Sequence, residues 1–308
     1  MQTKNLNTTK IFIQDVTLLD CAILYPSAGP KGKSWYVDIT WEGFKDNNGV
    51  IFDFSLAKKS AKNTIDHEFD HKLLVNGNSI RFQSNTQTIV IENYKENLFF
   101  AINTYNNSVT RISKDTLAAL DNNDFSLLEK EIAQSILRNS PKNVKSVTVT
   151  LREHEHNKNP NYFSYTHSLC HHYGNCQRFH GHSNIIEVFE NGNLNLEKST
   201  FAAKKLNNSY IISRNYVVDS WNTKLIQDLV DYCPELLELK ETVIAAQYKG
   251  TQGEVAIILP KENVFTLEQE STVENLAEFV YQLFSPQEQQ IEIRAYEGLS
   301  KGAICFNL

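Results

Sequence analysis

The sequence predicts an α+β protein built from two tandem copies of one unit, each an antiparallel four-stranded sheet with two helices on one face. Three observations predict it. A strand-strand-helix-helix-strand-strand order occurs twice, glycine-bounded segments of equal length recur in the two halves, and 308 residues suit two cores of roughly 150 residues each. The boundary falls near residues 156–162 (HNKNPNY), giving units 1–156 and 157–308.

The first element is residues 32–43, GKSWYVDITWEG, which place Trp35, Val37, Ile39 and Trp41 on one face of a half-buried strand. Its counterpart is residues 181–192, GHSNIIEVFENG, with the same length and terminal glycines. Each runs on toward a helix start, and the matching segments are IFDFSLAK, with Asp53 five residues before Lys58, and VVDSWNTK, with Asp219 five residues before Lys224. The next pair, residues 126–137 and 271–283, is predicted helical, each opening with an S-x-x-E capping box: Ser126 with Glu129, Ser271 with Glu274. In the second, Leu276, Phe279, Val280 and Leu283 form an apolar stripe suited to covering a sheet. Strands SVTVTLRE and QIEIRAYEG close the two copies, while residues 75–123 and 238–268, rich in Asn, Lys and Gln, read as decorating strands and loops.

Composition narrows the function. A net charge of -6 offers no basic footprint for a phosphate backbone, so nucleic acid is not expected as a partner. No apolar run approaches the roughly 18 residues a membrane span needs, and the N-terminal MQTKNLNTTK lacks signal-peptide character. No membrane association and a cytoplasmic location are the expectation. The five cysteines, Cys21, Cys170, Cys176, Cys233 and Cys305, show no CxxC spacing, which argues against a disulfide framework or a thiolate zinc knuckle. Histidine is the anomaly: seven of nine lie between His154 and His182.

Within that cluster, YFSYTHSL and NCQRFHGHS bring together His167, His180 and His182. His180 and His182 are two apart, so on a strand they share a face, and His167 can join them from a neighbouring antiparallel strand. Three imidazoles and no obvious fourth protein ligand suit a catalytic Zn2+ with one open position. Exposed polar histidines on a strand would be the bland alternative for a bare HxH.

At these residues the sequence resembles the 6-pyruvoyltetrahydropterin synthase family, whose zinc histidines lie in an FxxxHxL strand and an HGH motif. FSYTHSL, CQRFHGHS, VVDSWNTK, STVENLAEFVYQL and IRAYEGLSKGAI fall in family order over most of the second half. The resemblance implies tandem tunnelling-fold domains. Three residues separate Cys176 from HGH, the spacing of the 6-carboxytetrahydropterin synthases. Cys176 resembles the family's catalytic cysteine; a buried structural cysteine is the alternative. The family's Asp-His pair has no counterpart in YCPELLELK of the second half, but TIDHEFDHKLL in the first supplies Asp70 and His71. The first half, conversely, has Lys31-Gly32-Lys33 where HGH should stand and DCAIL where the strand histidine should be, so it cannot bind zinc that way. The copies have kept complementary parts, which predicts a composite site between them.

The resemblance further implies that Glu297 binds the pterin ring, that Glu153 is its counterpart in the first half, and that Thr272 is a substrate-contacting position. It implies a substrate, 7,8-dihydroneopterin triphosphate, a 6-carboxytetrahydropterin synthase activity such as queuosine biosynthesis uses, and a homo-oligomer, dimer or trimer. Two alternatives stay open: a pyruvoyl-forming synthase or pterin side-chain aldolase on the same scaffold, and a pterin- or purine-binding protein without turnover.

Overall fold

The computed structural model describes residues 8–95, 98–284 and 290–307. Residues 1–7, where the N-terminal reading falls, lie outside them.

In the first half, strands β1 (Thr9–Tyr25) and β2 (Gly29–Gly43) form an antiparallel hairpin. Helix α1 (Phe54–Glu68) follows, and the Asp53 carboxylate caps it by accepting from the Leu56 N–H. The chain returns in β3 (Leu73–Asn76), parallel to β1, then makes β4 (Ile80–Gln83), β5 (Gln87–Lys95), β6 (Leu98–Tyr105) and β7 (Val109–Ile112). Helices α2 (Lys114–Asp121) and α3 (Ser126–Arg138) lead to β8 (Val144–Arg152).

The second half repeats the plan. Strands β9 (Tyr162–His167), β10 (His180–Glu190) and β11 (Asn193–Leu194) precede helix α4 (Leu196–Leu206) and then β12 (Ser209–Ser213), parallel to β9. Helix α5 (Lys224–Tyr232), strands β13 (Val243–Lys249), β14 (Glu254–Pro260) and β15 (Val264–Leu267), helix α6 (Val273–Phe284), and strands β16 (Ile291–Glu297) and β17 (Lys301–Phe306) complete it.

Three sheets result, with orders β7-β3-β1-β2-β8, β15-β12-β9-β10-β16-β17 (β11 pairing with β10), and β13-β14-β6-β5-β4. The expected four-stranded antiparallel sheet is therefore corrected. It survives as β9-β10-β16-β17, but each half adds two strands that run parallel to its first strand, and the first half has only three antiparallel members among the described residues. The stretches expected to decorate the fold build the third sheet, in which β14 pairs antiparallel with β6 and so joins the two halves. The run EVAIILP explains how: Val255, Ile257 and Leu259 face the backs of the first two sheets, while Ala256 and Ile258 meet α5. A strand covered on both faces reads as continuous apolar sequence without alternation.

The β2 pattern behaves as expected. Trp35, Val37, Ile39 and Trp41 are buried in the core beneath α1 and α3, where sequestering an aliphatic side chain contributes roughly 1.5–3 kcal/mol. Three expectations need correcting. The counterpart of α1 is α4, since each follows the hairpin and returns to a strand parallel to the hairpin's first strand. VVDSWNTK instead leads into α5, which covers the third sheet. Neither capping box forms as drawn: α3 begins after Phe125 without a side-chain cap, and at α6 the Asn275 N–H meets the Thr272 hydroxyl. Glu129 accepts from the Leu151 N–H, and Ser271 is engaged elsewhere.

The halves meet back to back at two glycines. A Cβ on Gly32 would stand 2.1 Å from the Tyr165 carbonyl oxygen, and one on Gly181 would stand 2.5 Å from Gly32 Cα. Two residues on, the Ser34 N–H donates to Ser183 Oγ at 3.0 Å and the Ser183 N–H to Ser34 Oγ at 3.1 Å, a reciprocal pair across the pseudo-symmetric junction. Backbone on both sides leaves no room to yield. Gly32→Ala is expected to cost about 1–3 kcal/mol, read from the urea midpoint, whereas Gly77→Ala, with nothing within 4 Å, should stay within about 0.5 kcal/mol. Equal midpoints would show that the glycine contact does not constrain the junction.

Candidate active site

The β9–β10 ladder sets His180 directly opposite His167, and His182 opposite Tyr165. Both histidines of β10 therefore face His167. The Nε2 atoms of His167 and His180 lie 3.1 Å apart, as do those of His182 and His167. Tetrahedral zinc with bonds of about 2.0–2.1 Å would separate its nitrogens by roughly 3.3 Å, so the trio has the right span.

Each Nδ1 has an oxygen beside it, within hydrogen-bond geometry for His167 and His180. His167 Nδ1 meets the Ser271 carbonyl at 3.0 Å, His180 Nδ1 meets the Arg178 carbonyl at 2.8 Å, and His182 Nδ1 lies 3.2 Å from Asp20 Oδ1. Such partners orient a ligating imidazole and present its other nitrogen to a metal. All three side chains are fully buried. Burial, with help from the neighbouring His182, pushes His167 down to about 3, and burial with the surrounding imidazoles drives His180 well below the ordinary histidine range. Neutral rings with nitrogen lone pairs facing inward are what a divalent cation requires.

Two of these supports were missed by sequence reading. Ser271 looked like a helix cap. Asp20 lies in β1 of the first half, and the signal for it was a carboxylate within the apolar run LLDCAILY. Asp20 also accepts from the Ser34 hydroxyl, and its backbone N–H donates to Asp70 Oδ1 at 2.9 Å. Burial opposes its charge, yet His182, His71 and the Ser34 hydroxyl outweigh that and hold its carboxyl at about 2.

Asp70 and His71 follow α1 at the corner into β3. His71 has φ 52°, a left-handed conformation uncommon outside glycine, and its N–H donates to the Asp20 carbonyl at 2.7 Å. Its Nδ1 is 2.5 Å from Asp70 Oδ2, its ring centroid is 4.5 Å from that of His180, and its Nε2 is buried without a hydrogen-bond partner. Burial works against the imidazolium, but the bond to Asp70, the nearby Cys176 thiol and the charges of Asp70 and Asp20 hold His71 well above its usual range. The structural counterpart of this corner in the second half is Asn207-Asn208, not YCPELLELK. Asn208 has φ 58°, and its N–H donates to the Ser164 carbonyl as that of His71 does to Asp20.

Glu297 also joins the cluster, with Oε1 3.9 Å from His182 Nε2 and Oε2 3.0 Å from Lys301 Nζ. Glu153 does not. It occupies the equivalent place in the first half, where Lys33 takes the register position of His182 and bonds Glu153 at 3.1 Å; Ile23 stands where His167 does. Thr272 lies beside Ser271 at the start of α6. Two cations complete the surroundings. Lys72 follows His71 and is buried, and Arg178 has its Nη1 buried without a hydrogen-bond partner. Burial and the Arg178 charge push Lys72 down to about 8.

The family model for 6-pyruvoyl tetrahydropterin synthase matches twice, over residues 26–158 and 157–306. The chain belongs to that family. It is a tandem two-domain member of it, and the family supports a pterin synthase type of function. Among curated proteins, none matches the sequence. Solved structures similar to it include the 6-pyruvoyl tetrahydropterin synthase of Plasmodium vivax, at 13% identity and TM-score 0.35, covering 48% of this chain and 93% of that one. The Plasmodium falciparum enzyme is similar at 14% identity and TM-score 0.32, covering 47% and 91%. Such distant likenesses add nothing beyond the family match. No helix among the described residues is long and apolar enough to cross a membrane.

Asp20→Asn keeps the side chain's shape but removes its charge from behind His182. It is expected to weaken zinc affinity about 10–100-fold, measured by competition with a chromophoric chelator. Unchanged affinity would show that Asp20 does not tune the ligand.

Proposed function

We propose that this family member is a zinc-dependent pterin synthase acting on 7,8-dihydroneopterin triphosphate, most like a 6-carboxy-5,6,7,8-tetrahydropterin synthase, with one site composed from both halves. The observation that supports the reading most is that His71 of the first half, paired with Asp70, lies beside the ring of His180 of the second with its Nε2 buried and unpartnered, and with the Cys176 thiol near enough to influence it. Neither half alone holds the full set.

His167, His180 and His182 would hold the metal, and the span of their Nε2 atoms and the oxygens beside their Nδ1 atoms fit it. Bound zinc supplies Lewis acidity to the hydroxyls of the substrate side chain, which acidifies the adjacent C–H. The chain's own groups move the protons. Cys176 serves as base toward that C–H, and His71, whose Nε2 is free to exchange a proton, returns one to the neighbouring carbon. Asp70 orients the His71 ring and stabilises its charged form. Glu297 accepts hydrogen bonds from the guanidine-like edge of the pterin, the paired geometry a carboxylate favours. Thr272, next in sequence to Ser271, whose carbonyl meets His167 Nδ1, contacts the same ligand in this reading. Glu153 is not assigned a role here, because Lys33 already satisfies it. Lys72 and Arg178, neither of them in an ion pair among the described residues, furnish positive potential for the phosphates.

The test is incubation of zinc-loaded protein with 7,8-dihydroneopterin triphosphate and product analysis by mass spectrometry. A 6-carboxy product is expected, a pyruvoyl or aldolase product would reassign the chemistry on the same scaffold, and unchanged substrate would reject turnover. Cys176→Ala and His71→Ala should each lower kcat by 100-fold or more, the scale of a lost proton-transfer group, with zinc stoichiometry intact. Full activity in either variant removes that residue from the mechanism. Lys72→Ala is expected to raise KM for the triphosphate while leaving that for unphosphorylated 7,8-dihydroneopterin unchanged.

A further inference from the structure

A second group of ligand atoms lies outside the three-histidine cluster. Cys170 Sγ, His171 Nε2 and a Glu270 carboxylate oxygen stand within 4.8 Å of one another. Cys170 and His171 come shortly after the end of β9, and Glu270 comes from the segment that leads into α6. The three thus converge from distant parts of the sequence.

Glu270 is the informative member. Its side chain is largely buried, the Tyr216 hydroxyl donates to Oε1, and Oε2 is buried with no hydrogen-bond partner. Its one ion-pair neighbour among the described residues is His171, with Nε2 at 3.9 Å from Oε1, and that ring is 80% exposed. A buried carboxylate with an orphaned oxygen and no fixed counter-charge is costly, and a cation would relieve it. The Cys170 thiol is buried beside it and reaches the Lys249 carbonyl at 3.1 Å, while the Tyr216 hydroxyl approaches Cys170 as well as Glu270.

The donor set selects among cations. Magnesium and calcium prefer oxygen shells, whereas sulfur, imidazole nitrogen and a single carboxylate suit zinc and similar borderline metals. His171, being exposed and close, can turn its ring inward without disturbing the core. We propose that Cys170, His171 and Glu270, with the Tyr216 hydroxyl beside them, form a second divalent-cation site for zinc-like metals, separate from the three-histidine site.

Such a site has a mechanical consequence. Cys170 and His171 open the loop that carries Cys176, and Glu270 immediately precedes Ser271, whose carbonyl holds His167 Nδ1. A cation bound there ties the Cys176 loop to the support of a histidine in the first site. It would restrain the thiol's position without touching substrate.

Metal-stripped full-length protein titrated with cobalt, and separately loaded with zinc for elemental analysis, tests the proposal without reference to turnover. Wild type should take up two equivalents per chain, and Cys170→Ser and Glu270→Gln, each confirmed folded by circular dichroism, should take up one. Cobalt should give a thiolate charge-transfer band that is lost in Cys170→Ser and kept in Cys176→Ser. His180→Ala should lose the other equivalent and keep the band. A single equivalent in wild type, two equivalents retained in both Cys170→Ser and Glu270→Gln, or a band that follows Cys176 would each overturn the second site.

Discussion

The close approach of two backbones at Gly32 and Gly181 is the constraint on which the rest of this molecule depends. With no side chain at either position, β2 and β10 come near enough for Ser34 and Ser183 to exchange hydrogen bonds. Ser34 pairs in register with Asp20 across the first hairpin. Through that pairing the junction carries Asp20 to His182, and the Asp20 carbonyl in turn fixes the N–H of His71. A separation larger by one methyl group would move the carboxylate behind His182 and the imidazole of His71 together. The third sheet, shared through β6 and β14, closes the same junction from behind.

Duplication has left the two copies unequal in a physically legible way. Where the second half has His167, His180 and His182, the first has Ile23, Lys31 and Lys33 at the same register positions. Lys33 does not remain an unpaired buried charge; Glu153 neutralises it, so that copy is internally satisfied without a ligand. The reverse exchange occurs at the left-handed corner. Asn207 and Asn208 there bond back to Ser164, an arrangement that suits asparagine's tolerance of positive φ. His71 holds the same conformation against its own preference, at a cost of order 1 kcal/mol or more. Its N–H bond to Asp20 and the carboxylate of Asp70 keep it there.

Much of this was readable from the sequence because it depends on period and spacing. The alternation in β2, the shared face of His180 and His182, and His167 on the adjoining strand follow from two-residue geometry. The meeting of Asp70-His71 with Cys176 could be expected only because each half visibly lacked what the other kept. What stayed hidden depends on long-range pairing. The parallel strands β3 and β12 are short and lack a periodic signature, and the polar stretches 75–123 and 238–268 give no hint that they pair with one another. Matching VVDSWNTK to IFDFSLAK by an Asp-to-Lys interval misplaced the duplicated helix, since α4 starts from Asn195 instead. Ser271 showed a plausible local role that concealed a distant one: its carbonyl, invisible to motif reading, holds His167.

The three supports behind the histidines also explain why one chain of this kind carries one such site rather than two. His180 is oriented by its own loop and His167 by the segment before α6, both within the second half. His182 is oriented from the first half, by a carboxylate that is charged because of where it sits among His182, His71 and Ser34. The second half alone would therefore keep the three histidines but lose the fixed charge behind one of them, together with the imidazole near Cys176. The first half would keep the charge and the imidazole with nothing to act on. Covalent fusion makes the pairing of the copy that carries the three histidines with the copy that carries Asp20 and His71 obligatory, so that neither copy is under pressure to retain what the other provides.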